Sequence, residues 1–84
     1  METVKQFKMR SRNEIQDLKA MFGLRNREIA EASGITEVTV GKIINRCHVV
    51  SAETVEKTLL ATREICRYRM KEAMSNVMQE ATHA

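Results

Sequence analysis

The stretch that decides the fold runs from Asn26 to Asn45 and reads NREIAEASGITEVTVGKIIN. Asn26 is placed to cap a short helix over 27–33, whose inner face would be Ile29, Ala30 and Ser33, and Gly34 stops it. Ile35 then points inward, and Thr36 is placed to cap a second helix, 37–46, with Val40, Ile43 and Ile44 on its inner side. The β-branched content would also suit a strand, but apolar residues at 40, 43 and 44 follow a three-to-four period directly after a cap. Ala30 lets the second helix cross the first closely, and Gly34 four residues later makes a sharp turn. Together with Ile35, Val40 and Ile43 this is the spacing of a helix-turn-helix.

Working outward, Ser11 and Glu14 fit a capping box that opens a helix over 12–22, with Ile15, Leu18, Met21 and Phe22 at helical spacing and Gly23 at its end. Residues 1–10 have no apolar period and no evident cap, and are expected to be a flexible basic arm. On the other side, 47–50 form a connection and Ser51 caps a last helix, with Glu53 in its first turn. No Gly or Pro follows Ala52, while apolar side chains continue at Val55, Leu59, Thr62, Ile65, Cys66, Met70, Ala73, Met74, Val77, Met78 and Ala81. One helix of about 28 residues would be roughly 42 Å long, more than a body of this size can cover. The expected organisation is an arm at 1–10, a DNA-binding domain at 11–65 and an association helix at 66–84.

Composition agrees with an all-α chain: 84 residues, no Pro, no Trp, three Gly, 43% hydrophobic and 30% charged. So short a chain makes one domain and leaves no room for the layered architectures that house most cofactor enzymes, so neither an enzyme nor a cofactor is expected. No apolar run reaches bilayer length and the first nine residues are too charged for a secretory signal, which predicts a cytoplasmic, nucleoid-associated protein with reduced thiols. Net charge is +3, and residues 1–48, with nine basic and six acidic side chains, carry all of it. Cys47 and His48 are adjacent, and two neighbouring ligands do not build a zinc centre, so no metal is expected.

The run from Ile29 to Lys57, IAEASGITEVTVGKIINRCHVVSAETVEK, resembles the DNA-binding headpiece of the lactose-repressor family, including the Asn that closes the recognition helix and the VSAET that opens the next one. The resemblance covers about a third of the chain. It implies that the helix over 37–46 enters the major groove, with Glu37, Val38 and Lys42 at base-reading positions and Thr36, Thr39, Asn45, Ser51 and Thr54 at phosphate-contacting ones. Two departures stand out. Glu37 and Val38 replace the polar or aromatic residues usual there, so base preference does not transfer, and the family's hinge helix and sugar-binding domain are not in this sequence. The helix before the motif is similar to that of small phage repressors and Cro-like regulators, giving an expected lambda-repressor-like bundle of four to five helices.

The residues themselves carry a parallel reading. Glu37 could accept from a cytosine amino group or simply complement the helix dipole; Val38 could rest on a thymine methyl; Lys42 could donate to guanine or to a phosphate. Gly41 lowers helix stability by about 1 kcal/mol against Ala, which close approach either to DNA or to the preceding helix would explain. Arg25 and Arg27 flank the start of the helix over 27–33, and with Arg46 they are expected at the DNA backbone, while the basic arm either follows DNA or is solvated. In the last helix Cys66, Met70, Ala73, Met74, Val77 and Met78 lie near coiled-coil spacing and predict a homodimer or higher oligomer on a palindromic operator. The expected function is a transcriptional regulator, a repressor by preference. The alternatives are an accessory protein of a phage or mobile element in excision, partition or replication control, or a protein-interaction module on the same scaffold.

Overall fold

A computed structural model describes the backbone of residues 1–83 and the side chains of residues 1–79. It contains four helices, α1 (Val4–Phe22), α2 (Asn26–Ser33), α3 (Glu37–Arg46) and α4 (Ala52–His83), with a single 3-10 turn at Cys47–Val49 and no strand among the described residues. The chain is all-α. No helix among the described residues is long and apolar enough to cross a membrane.

The first difference from the sequence reading lies at the start. Residues 4–10 are helix, not a loose arm, because Thr3 and Gln6 form the capping box: the Gln6 amide donates to Thr3 Oγ1 at 3.1 Å and the Thr3 amide donates to Gln6 Oε1 at 2.9 Å. Ser11 is therefore no cap. It sits within α1, fully buried, and its Oγ has no hydrogen-bond partner. Glu14, its supposed reciprocal partner, instead forms a two-pronged ion pair with Arg63 of α4, which holds the Glu14 carboxyl below the usual carboxylate range.

Helices α1 and α2 end the same way. Gly23 (φ 62°) and Gly34 (φ 72°) take the left-handed conformation that side chains resist, and the following amides return to the helix, Leu24 to the Lys19 carbonyl at 2.9 Å and Ile35 to the Ala30 carbonyl at 3.1 Å. Asn26 is the first residue of α2 and not its cap; its Oδ1 is buried without a partner, while Glu28 accepts from the Arg25 amide at 3.3 Å. Thr36 caps α3 as its sequence position suggests, accepting from the Thr39 amide at 3.2 Å. Ser51 does the same for α4, accepting from the Thr54 amide at 3.2 Å.

The core gathers one face of each helix: Ile15 from α1, Ile29 and Ala30 from α2, Val40 and Ile43 from α3, and Val55, Leu59 and Cys66 from α4, closed by Leu24 and Val50. Leu18, Phe22, Ile35, Ile44 and Ile65 pack around it, half-buried. Met21, placed inside by the helical period, is 74% exposed because α4 covers the neighbouring stripe of α1 at Ile15, Leu18 and Phe22. Buried hydroxyls on α4 are satisfied locally: Thr58 donates to the Thr54 carbonyl at 2.8 Å and Thr62 to the Thr58 carbonyl at 2.7 Å.

Helix α4 runs unbroken for 32 residues. That is about 48 Å, which accounts for most of the longest dimension, 52 Å. The body holds it as far as Arg69, which donates to the Phe22 carbonyl at 2.9 Å and pairs with Glu28. The boundary expected at 65–66 is thus displaced: Cys66 is core and Arg69 is an anchor, and continuous exposure begins at Met70.

Candidate nucleic-acid interface

Packing Val40 and Ile43 inward turns the opposite face of α3 to solvent. Glu37, Val38, Lys42, Asn45 and Arg46 are all exposed, Val38 to 68%. Among the described residues no acid pairs with Lys42 or Arg46, and no base pairs with Glu37. Gly41 lies in the middle of this face, and a Cβ built on it would meet nothing within 4 Å. Close packing on α2 is therefore not the reason for a glycine there. The open side of α3 thus has bare backbone at Gly41, with the charged side chains of Glu37, Lys42 and Arg46 around it.

Hydroxyl pairs stand at two helix starts. Thr36 Oγ1 lies 2.9 Å from Thr39 Oγ1, and the Ser51 hydroxyl donates to Thr54 Oγ1 at 2.9 Å. Each pair uses one hydroxyl hydrogen internally and leaves the other for an outside acceptor. Helix N-termini add unpaired amides and a positive dipole, so both places suit an anionic oxygen. Lys57, which the sequence reading did not assign, joins them: its Nζ lies 3.7 Å from the position of a Cβ on Gly34, over the turn between α2 and α3. Thr54 and Lys57 are three residues apart on α4 and share a face. The spacing from Ser51 to Lys57 was the available signal, but only the fold brings that ammonium to the turn.

At the start of α2, Arg25 and Arg27 are exposed as expected, and Arg27 pairs with Glu31 at 3.2 Å. A pair so open to solvent adds little stability and leaves the guanidinium available. At the far end of α3 the chain is tied to α1: Arg12 Nε donates to the Ile44 carbonyl at 2.8 Å, Lys8 Nζ to the His48 carbonyl at 3.5 Å, and Cys47 Sγ lies 3.8 Å from Met9 Sδ. Cys47 and Cys66 are both free and buried. No group of three His, Cys, Asp or Glu side chains among the described residues is placed to hold a metal.

The residues expected to join chains divide into two sets. Cys66 is buried in the intramolecular core, where desolvation pushes its thiol above the ordinary range, and it is not part of an outer seam. Met70, Ala73, Met74, Val77 and Met78 are exposed. Met70 and Met74 continue into an apolar groove of about 660 Å³ against Leu18, Met21 and Phe22 of α1, rimmed by Arg67 and Lys71. No protein-family model matches the chain, and no curated protein or solved structure matches it either.

Proposed function

We propose that the chain is a sequence-specific regulator of transcription that binds double-stranded DNA, a repressor, reading the major groove with α3. The observation that carries this reading is Gly41. A residue that weakens a helix by about 1 kcal/mol, with no neighbour to demand it, sits at the centre of an open face among Glu37, Val38, Lys42 and Asn45. A duplex backbone or base edge brought close to the helix gives that glycine a purpose. In this reading α2, the Gly34 turn and α3 are a helix-turn-helix within a lambda-repressor-like bundle. Glu37, Val38 and Lys42 meet base edges, and Arg25, Arg27, Thr36, Thr39, Asn45, Arg46, Ser51, Thr54 and Lys57 meet phosphates.

The exposed apolar stripe of α4 supports self-association. Met70, Met74 and Val77 are each more than half exposed and run on from the groove beside Met21. A stripe of this kind is covered in use by another chain. A second copy makes a two-fold dimer that presents two α3 helices about 34 Å apart, one DNA turn, to a palindromic operator.

Selection from a pool of random duplexes tests both parts. The whole protein enriches a site with two-fold symmetry, and Lys42→Ala weakens binding and relaxes one base position by about 1–3 kcal/mol. A pool that enriches no site overturns the DNA reading and leaves the scaffold as a protein-interaction module. An asymmetric site overturns the dimer.

A further inference from the structure

Four basic residues near the start of the chain, Lys5, Lys8, Arg10 and Arg12, look alike in the sequence, and the fold separates them. Arg10 is neutralised by Glu2 through hydrogen bonds of 2.7 and 3.0 Å, and its guanidinium also stacks over the Phe7 ring at 5.6 Å. Arg12 turns inward, to the Ile44 carbonyl and to Asn13. Lys5 and Lys8 remain. No acid pairs with either among the described residues, and Glu2, the acid closest to Lys5 in the sequence, is held by Arg10.

These two ammonium groups are not scattered. Lys5 and Lys8 are three residues apart on α1 and line the same cleft, of about 670 Å³, together with Val4, Met9, Cys47 and His48. Lys8 reaches the His48 carbonyl, a contact that orients the ammonium without cancelling its charge. The cleft therefore sits just past the end of α3, where Arg46 is also exposed and, among the described residues, pairs with no acid. Lys42 and Arg46 stand one turn apart on the open side of α3, Lys8 reaches the His48 carbonyl two residues past Arg46, and Lys5 lines the same cleft as Lys8.

We propose that the first two turns of α1 are a second phosphate-binding edge, in which Lys5 and Lys8 grip the DNA backbone flanking the segment read by α3. The proposal rests on the DNA-binding reading above and adds to it a contact surface outside the helix-turn-helix. Its physical advantage follows from the Thr3–Gln6 capping box. A disordered basic arm must be ordered when it binds, whereas a capped helix offers both lysines already in place.

The test is the salt dependence of binding by the full chain to the selected duplex and to a random one. Each neutralised phosphate adds about 0.9 to the slope of log K against log salt. The Lys5→Gln/Lys8→Gln double variant is expected to lose about 1.8 from that slope, to bind both duplexes tens of fold more weakly near 0.1 M salt, and to keep the same base preference. Lys5→Arg/Lys8→Arg is expected to bind as the wild type does. Lys19→Gln, which removes a charge from the other end of α1, is the control and leaves the slope unchanged. An unchanged slope in the double variant, with the melting transition intact, overturns the proposal. So does an equal fall in Lys19→Gln, which would mean that overall charge alone is at work. If Lys42→Ala and Arg46→Gln also leave binding untouched, the groove reading has failed; if only the lysine pair is silent, that reading stands and the second edge falls.

Discussion

Replacing Gly41 by Ala is expected to move stability and, on the proposed reading, DNA affinity in opposite directions. In the free protein the added methyl meets nothing within 4 Å, so no clash offsets the helix-propensity gain. That gain is about 0.8–1.0 kcal/mol for a helix interior, which in a chain of 84 residues raises the melting temperature by roughly 4–8 °C. With α3 in the groove, as proposed, the same methyl is expected to occupy space that the duplex needs. Displacing one charge-assisted backbone contact is worth about 1.5–3 kcal/mol, or roughly ten- to a hundredfold in affinity. Thermal melting at fixed protein concentration, followed by fluorescence anisotropy on the selected duplex, measures both quantities on one sample. A variant that melts higher and binds equally well refutes close approach at Gly41. One that melts lower refutes the openness of that face.

Two further substitutions separate readings that the sequence alone leaves equal. Ser11→Ala removes a buried hydroxyl that has no partner and is expected to stabilise the fold by about 1 kcal/mol in denaturant titration; a helix cap at that position would make the same change destabilising by a similar amount. Met74→Asp places a charge on the exposed stripe of α4, beyond the anchor at Arg69, and is expected to yield monomers in sedimentation with the melting of the body preserved. An unchanged sedimentation coefficient removes α4 from the association surface.

What could be read from the sequence was what side chains do to their own backbone. Thr36, Ser51, Gly23 and Gly34 act within a few residues of themselves, and the ends they set, the close of α1 and of α2 and the starts of α3 and α4, stand. The same logic failed at the N-terminus because Thr3 with Gln6, a box of the same pattern as Ser11 with Glu14, opens a stretch that has no apolar period to mark a helix. The choice between them is tertiary. Glu14 is drawn to Arg63, 49 positions away, and Ser11 is enclosed by the packing of α1. Periodicity misplaced Met21 and Cys66 for a related reason: a helical stripe says which residues align, and only the neighbouring helix decides which of them are covered.

The open face of α3 was legible as the side opposite Val40 and Ile43. Two of its extensions were not. Lys57 reaches the Gly34 turn only because α4 packs beside α2, and Lys8 reaches His48 only because α1 is helical from Val4. In both cases the charge was visible in the sequence and its address was not.

The ties at the two ends of α3 bear on the calorimetry of any complex it forms. Thr36 closes its first turn, while Arg12 and Lys8 hold the carbonyls at and just beyond its last. A helix fastened at both ends has no folding left to do when it meets a partner. The heat-capacity change of association then reports the surface removed from water at the contact and contains no large contribution from coupled ordering. That places the energetic signature of this chain with rigid-body recognition, and apart from basic segments that become helical only on their target.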